Sequence, residues 1–496
     1  MRILKTIKNI YWRWRLRGEV LADGFDSSLY CRLHRDVAVS GLDGRVHYLR
    51  FGRAEGRDPH PDFSASGYLY QGPSITERED AFLHYERIGR EEGYAALPEW
   101  NGTQKYFPNS PTWLVCGHQA GREIYGGERS LLDVLAHLSD LGVNAIVVLP
   151  SALNRSYIKR VMEVAYRVAI VPYGWWHRDC PPLQQTLRHF ERLLREYRCD
   201  AMYVNTAVLD EPLLAARAVG VQLIVHVREL PAYDPDLCET LGASADEIRE
   251  RLMNVADIIV ANSDYTAQCL GIPSAMVVPN GVDISAFESL ESPAERGEVF
   301  SVGIVSSNLP KKGINDFVRL ASELELRELS ISCLIIGPET TYLQSLKSST
   351  KPWPGNLKIR GYSSSPQEAI AQLDVLVNLS HFYESFGRTV LEAMAAGRPV
   401  VAYERGAVRD LVVHLKTGYL VPYRSSETLE QRAALVAEGV EQLFLDQGKY
   451  RAMSTAARNL AAERYSKEAV REALKHVLQR SVDLQRSTTL NGRRAI

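Results

Sequence analysis

Two glutamates, Glu384 and Glu392, stand eight positions apart in "HFYESFGRTVLEAMAAGRPVVA" (381–402), with Ser385-Phe386-Gly387 between them. The run "LDVLVNLS" just before predicts a buried strand. A helix is predicted to start at about Gly387 and to run from Arg388 to Ala396, stopped by Gly397 ahead of Pro399. Backbone N–H groups at such a helix start lack intrahelical partners and carry partial positive charge, which suits a phosphate. Gly387 allows a ligand close to the backbone. Glu392, about one and a half turns in, leans back toward the helix start and could accept hydrogen bonds from two adjacent ribose hydroxyls. Glu384, on the loop, could hold hydroxyls on the phosphate's other side. Ribose, diphosphate, hexose is the order of groups in a nucleotide joined to a sugar. Spacing alone favours two solvent-facing carboxylates, since glutamates eight apart are common.

Other side chains pose the same choice. Lys312 in "NLPKKGINDF" is a phosphate cation or a solvated lysine, and Gly126-Gly127 in "YGGERS" is a ligand-approach loop or a plain turn. His226 in "IVHVREL" is a sugar contact or a strand-end histidine with a protein partner. Arg228-Glu229 is an ion pair shaping a cleft, and Trp175-Trp176 is a stacking platform or core.

Positioning such groups needs parallel sheets, whose ligands bind beyond the carboxyl ends of the strands. From about residue 111 apolar runs alternate with helical stretches: "TWLVCGH", "VNAIVVLP", "YRVAIVPY", "DAMYVNT", "VQLIVHV" and "ADIIVANS". Continuous apolar runs between helices indicate a parallel sheet covered on both faces. The pattern restarts with "VFSVGIVSS", "ISCLIIGP", "NLKIRGY", "DVLVNLS", "RPVVAYE" and "GYLVPY". Two successive Rossmann-like α/β domains follow from this, at 106–290 and 291–450, then C-terminal helices at 451–480 and a disordered tail at 481–496. Before them, "FDSSLYCRLHRDVAVSGLDGRVHYLRFGRAEGR" and "FSASGYLYQGPSITEREDAFLHYERIGREEGY" form a two-copy helical repeat within 21–105. His47-Tyr48 returns as His84-Tyr85, and Gly52 as Gly89. These histidines lack metal-ligand neighbours, which favours packing.

Composition excludes several classes. The 496 residues exceed one core, and the net charge of −2 gives no reason to expect a nucleic-acid partner. Seven cysteines without C-x-x-C spacing argue against a disulfide framework and a zinc site, and fit a reducing compartment. No run of about 18 uncharged apolar residues is present. Residues 1–18, "MRILKTIKNIYWRWRLRG", within a 1–20 segment, carry six Lys/Arg and no acid. That pattern is a basic amphipathic helix lying on an anionic membrane surface or packed on the next domain.

The letters around the glutamates decide between the readings. Glu-Ser-Phe-Gly followed by Glu-Ala-Met-Ala-Ala-Gly-Arg-Pro-Val-Val-Ala resembles the donor-site signature of the retaining glycosyltransferases of family 4, which have the GT-B fold. "ADIIVANSDYTAQCLGIPSAMVVPNGVDISAF", "NLPKKGINDFVRLA" and "RGAVRDLVVHLKTGYLV" match further family elements in order, over roughly 111–480. The N-terminal repeats resemble those of some bacterial polysaccharide-assembly glycosyltransferases. The resemblance implies two Rossmann-like domains facing a cleft, with Lys312 on the donor diphosphate and Ser385, Phe386 and Gly387 offering backbone amides. It also implies Glu392 on the ribose, Glu384 and His226 on the transferred sugar, and Gly126 and Gly127 lining the donor approach.

In two places the chain departs from the family. Ser307 stands where the family usually has a phosphate-binding Arg, with Lys311 and Arg388 as candidate replacements, and Tyr125 stands where the family often has a first Gly. The implied reaction is transfer of a sugar from a nucleotide diphosphate to an acceptor hydroxyl with anomeric retention, in bacterial surface polysaccharide or lipopolysaccharide synthesis. With no Asp-x-Asp motif at a strand end, no metal or other cofactor is expected. The expected partners are a nucleotide-sugar donor, a glycan or lipid-linked glycan acceptor and a membrane surface touched by 1–18, and the expected location is cytoplasmic, peripheral on the inner face of the plasma membrane. A catalytically inactive GT-B scaffold, an epimerase and a phosphorylase stay open as alternatives.

Overall fold

The structure is a computed structural model that describes residues 11, 12, 15, 16, 18–76, 79–118 and 120–494. Most of the basic segment 1–18 therefore lies outside the described residues. Of the part that is described, Trp12 has the Arg50 guanidinium 3.6 Å above its ring, a contact with the repeat module. Among the described residues no helix is long and apolar enough to cross a membrane.

The chain divides into two compact units. The first comprises Met1–Val227, Pro235–Val260 and Leu474–Ile496, and the second Arg228–Asp234 and Ala261–Ala473. The first unit holds β1 (Glu99–Asn101), β2 (Thr112–Cys116), β3 (Asn144–Leu149), β4 (Arg167–Ile170), β5 (Ala201–Val204), β6 (Gln222–Val227) and most of β7 (Ile258–Ala261). Their order is β1-β4-β3-β2-β5-β6-β7. Pairing is parallel from β4 through β3, β2 and β5 to β6, with β1 antiparallel on β4. Strands β2, β3 and β5 are buried along their whole length, which is why they read as continuous apolar runs. The helix Gly126–Asp140 covers the sheet with Leu131, Leu132, Val134, Leu135 and Leu138, the face its periodicity predicts.

The two repeat copies share one internal design. Tyr30 is hydrogen-bonded through its hydroxyl to His47 Nδ1 at 3.1 Å, and Tyr68 to His84 Nδ1 at 2.6 Å. A Cβ on Gly52 would lie 2.2 Å from the Tyr30 hydroxyl, and one on Gly89 would lie 2.3 Å from that of Tyr68. The recurring Tyr, His and Gly are thus one buried knot made twice, and each copy carries a π-helical turn at Tyr48–Gly52 or Tyr85–Gly89.

In the second unit lie β8 (Met276–Val277) and a six-stranded, fully parallel sheet: β9 (Ser301–Val305), β10 (Ser332–Ile336), β11 (Leu357–Arg360), β12 (Val375–Asn378), β13 (Val400–Tyr403) and β14 (Gly418–Val421). Their order is β11-β10-β9-β12-β13-β14. Buried Asp374 ties β12 to the start of β9, accepting from the Ser301 amide at 2.7 Å and the Ala294 amide at 3.1 Å.

One expectation needs correction. Residues 481–494, in the segment 481–496 read as a disordered tail, belong to a helix spanning Lys467–Arg494, and 495–496 lie outside the described residues. Val470, Leu474, Val477 and Ser481 are buried along it at three- and four-residue steps, a core-facing stripe that the polar letters after it obscured.

Candidate donor site

The loops leaving β9, β12 and β13 carry the candidate residues, and these strands are neighbours in the second sheet. After β9 the chain makes a 3₁₀ turn, Pro310–Lys312, and enters the helix Ile314–Leu326 through Gly313. Gly313 has φ +74°, and a Cβ there would lie 2.0 Å from the Leu379 carbonyl oxygen. Only glycine fits that left-handed corner, and its fit against the end of β12 fixes where Lys312 stands.

After β12, the loop 379–387 is pinned from several directions. The His381 amide donates to the Lys311 carbonyl at 2.9 Å, and His381 Nε2 lies 2.8 Å from both carboxylate oxygens of buried Asp316. The Phe382 ring has Lys312 Nζ at 4.5 Å and Lys311 Nζ at 4.9 Å. The Ser385 carbonyl accepts from Ser263 Oγ at 2.8 Å and Thr266 Oγ1 at 3.1 Å, and Asn262 Nδ2 donates to Ser385 Oγ at 3.2 Å. From the β13 side the Ala407 amide donates to the Glu384 carbonyl at 2.8 Å, and a Cβ on Gly406 would lie 2.3 Å from that oxygen.

Within this frame Lys312 Nζ donates to Glu384 Oε1 at 2.9 Å, and Ser380 Oγ donates to the same oxygen at 2.7 Å. Burial works to raise the Glu384 carboxyl, but the Lys312 charge and the hydrogen bonds from Lys312 and Ser380 outweigh it, leaving the group below the usual glutamate range. The site therefore holds an ionised carboxylate and an ammonium in contact.

The structure places the remaining predicted residues as follows. Gly387, at φ +101°, caps the helix Arg388–Ala395, while the Phe386 side chain is buried in the core and meets Tyr465 edge-on at 5.8 Å. Glu392 is 6% exposed on that helix, with Arg388 Nε 3.7 Å from its Oε1. Arg388, proposed as a replacement phosphate cation, thus faces a carboxylate of its own helix. His226 is the last residue but one of β6 in the first unit, 1% exposed, with Nδ1 2.5 Å from the Tyr203 hydroxyl. Gly126 and Gly127, read as a loop, are the first two residues of the helix Gly126–Asp140. A Cβ on Gly126 would meet nothing within 4 Å, and one on Gly127 would lie 3.4 Å from His118 Nδ1. These glycines are therefore the first residues of a helix and not a loop.

Sequence reasoning gave no role to Ser380, Asn262, Ser263, Thr266 or Gly406. The signals were present: "ANSDYT" puts hydrogen-bonding side chains directly after β7, and Gly406 follows β13. Nor did it foresee the stack beside Glu384, where the Tyr383 ring lies 4.0 Å from that of Tyr233 at 27°, with the Arg405 guanidinium 4.3 Å away.

The chain is similar to known proteins. The sequence model for "Glycosyl transferases group 1" covers residues 286–460, and that for "Glycosyltransferase Family 4" covers 124–286. The chain is a family-4-like glycosyltransferase of the GT-B fold. A GDP-mannose-dependent alpha-mannosyltransferase of Mycobacterium tuberculosis is 28% identical to this glycosyltransferase over 318 residues, 60% of this chain and 81% of that one. A poly(ribitol-phosphate) alpha-N-acetylglucosaminyltransferase of Staphylococcus aureus is 25% identical over 252 residues, 50% of this chain and 48% of that one. Anabaena Alr3699/HepE, solved with UDP and glucose, superposes with a TM-score of 0.58 at 19% identity, covering 74% of this chain and 99% of that one.

Proposed function

We propose that this glycosyltransferase moves a hexosyl group from a nucleoside diphosphate sugar to an acceptor hydroxyl with retention of anomeric configuration. The observation that carries the reading is the Lys312–Glu384 pair, fixed by Gly313, Ser380 and Gly406 on the carboxyl-end loops of adjacent strands, directly before a helix start. In this reading Glu392 holds the ribose, Glu384 the transferred sugar, and Lys312 with the amides of 385–387 the diphosphate. His226, whose Nδ1 lies 2.5 Å from the Tyr203 hydroxyl, is proposed as a ligand of a sugar hydroxyl. The bond from the anomeric carbon to the β-phosphate oxygen breaks, and the acceptor oxygen bonds to that carbon on the same face. The acceptor proton passes to the departing phosphate oxygen. Charge builds on the diphosphate as the bond breaks, and a preorganised ammonium and helix start stabilise it there.

The names of the relatives support nucleotide-sugar use: GDP-mannose for the mycobacterial enzyme, UDP with glucose for the Anabaena structure. The staphylococcal relative's name gives a poly(ribitol-phosphate) acceptor, which supports a surface-polymer acceptor here. Metal-independent turnover, synthesis of bacterial surface polysaccharide or lipopolysaccharide, and work at the inner membrane face complete the proposal.

The test is incubation with UDP-glucose, UDP-N-acetylglucosamine and GDP-mannose, with and without EDTA. Nucleoside diphosphate release is followed, and the new anomeric proton is read by NMR. Release with an α-linked product from an α-linked donor, unaffected by EDTA, is expected. No release with any donor, an inverted anomer, or an epimerised donor without transfer would overturn the reading.

A further inference from the structure

The two-copy helical module bonds the loops that leave the carboxyl ends of the first unit's parallel strands, and also the helix Gln184–Glu196, where His189 Nε2 lies 2.6 Å from Asp62 Oδ1. Its first copy holds the loop after β4: Arg32 Nη2 donates to the carbonyls of Pro182 at 3.1 Å and Pro181 at 3.3 Å, and a Cβ on Gly174 would lie 3.2 Å from the Leu33 carbonyl oxygen. Its second copy holds the loop after β3: Ser66 Oγ accepts from the Ala152 amide at 2.8 Å, and Arg155 Nη2 donates to the Leu69 carbonyl at 2.8 Å. That second loop in turn holds the segment leading to Gly126. Ser151 Oγ donates to the Ala120 carbonyl at 2.5 Å, and Asn154 Nδ2 to the Arg122 carbonyl at 2.7 Å.

What these loops carry points to a ligand. Trp175, one residue beyond Gly174, is half-buried and stacks on His118 at 5.4 Å and 25°. Trp176 beside it is core, with Nε1 donating to the Ala207 carbonyl at 3.2 Å. Of the tryptophan pair, then, Trp175 is the partly exposed ring, and it lies beyond the carboxyl ends of the sheet, where parallel folds bind ligands. Such a face suits the C–H side of a pyranose ring.

We propose that the repeat module is a wall of the acceptor site: it fixes the loops after β2, β3 and β4 and so sets Trp175 as the platform for a sugar ring of the acceptor. This rests on the glycosyltransfer reading above. Fixing these loops lowers the ordering cost on acceptor binding, because the module has already restricted them.

The test uses the full chain as wild type, Arg32→Ala, Arg155→Ala and Trp175→Ala, with octyl α-D-mannopyranoside and octyl α-D-glucopyranoside as probes. Amide exchange in Arg32→Ala should rise about tenfold or more over 171–182, and in Arg155→Ala over 149–155 and 120–125. Glycoside affinity should fall about tenfold in all three variants, while UDP and GDP affinity stays within about twofold. Unchanged exchange in those loops, unchanged glycoside affinity, or binding of neither glycoside by the wild type would overturn the proposal. A wild type that binds glycoside but neither UDP nor GDP would instead fault the donor-site reading.

Discussion

Replacing Lys312 by Met keeps the length of the side chain and removes its charge, leaving Glu384 with Ser380. The pair is 2.9 Å long, and its side chains are 23% and 14% exposed. Two unit charges about 4 Å apart at an effective dielectric near 20 attract by about 4 kcal/mol. Removing the lysine also removes its own desolvation cost, so the net loss at pH 7 should be about 2–3 kcal/mol. The pH dependence identifies the cause. In the wild type the folded Glu384 pKa lies below its unfolded value, so its contribution is complete above about pH 4.5 and is lost as pH falls through the folded value. In Lys312→Met burial is opposed only by the Ser380 hydrogen bond and the Lys311 charge, so the folded pKa rises from its wild-type position. The variant's penalty should therefore shrink as pH falls from 7 toward 5. Calorimetric melting at pH 5, 6, 7 and 8 should show a Tm lowered by about 4–12 °C at pH 7 and by visibly less at pH 5. Lys312→Met/Glu384→Gln should recover most of the loss. A deficit independent of pH, or a double variant whose loss is the sum of the singles, would refute a buried ion pair at this site.

Gly313→Ala should cost far more than Gly220→Ala, although both positions have positive φ, because a Cβ at 313 meets the Leu379 carbonyl at 2.0 Å and one at 220 meets nothing within 4 Å. Thermal melting should show about 1 kcal/mol for the second and several-fold more for the first. Tyr233→Ala should raise amide exchange over 381–387 while Tyr233→Phe leaves it unchanged, since the 4.0 Å stack on Tyr383 needs the ring and not the hydroxyl. Asp58, buried in the repeat module, has its carboxyl pushed up to about 7, so the folded state binds the extra proton and stability falls as pH rises from about 4 to 7. Asp58→Asn keeps an acceptor for the Ala65 amide, now 2.7 Å from Oδ1, and should flatten that slope, giving a higher Tm than wild type at pH 8.

The two sheets were legible because parallel strands buried on both faces are apolar throughout, and "LIIGP" or "VVAYE" can be little else. Antiparallel β1 (Glu99–Asn101) was not, being three residues long and only partly buried. The donor loop was legible in outline, since Gly313, Gly387 and Gly397 mark real corners with φ +74°, +101° and +67°. What holds the loop was not legible. Asn262, Ser263 and Thr266 are more than a hundred residues from Ser385, and a hydroxyl's partner leaves no periodic trace. Gly126 and Gly127 were read as a loop but open a helix, because glycine's backbone freedom permits helical as well as non-helical φ/ψ. The tail misled because "RSTTLNGRRAI" is polar and carries no apolar periodicity of its own, while the helix it continues is anchored earlier by Val470, Leu474 and Val477.

Isothermal titration of UDP and GDP into wild type and Glu392→Ala tests the central claim most directly. The buried glutamate on the helix that starts at Gly387 is read as the ribose hook, through two charge-assisted hydrogen bonds worth about 1.5–3 kcal/mol each. Wild type should bind at least one of the two diphosphates, and Glu392→Ala, still folded by its melting curve, should bind it on the order of a hundredfold more weakly. Equal affinity in the two proteins, or no binding of either diphosphate to wild type, would contradict the account.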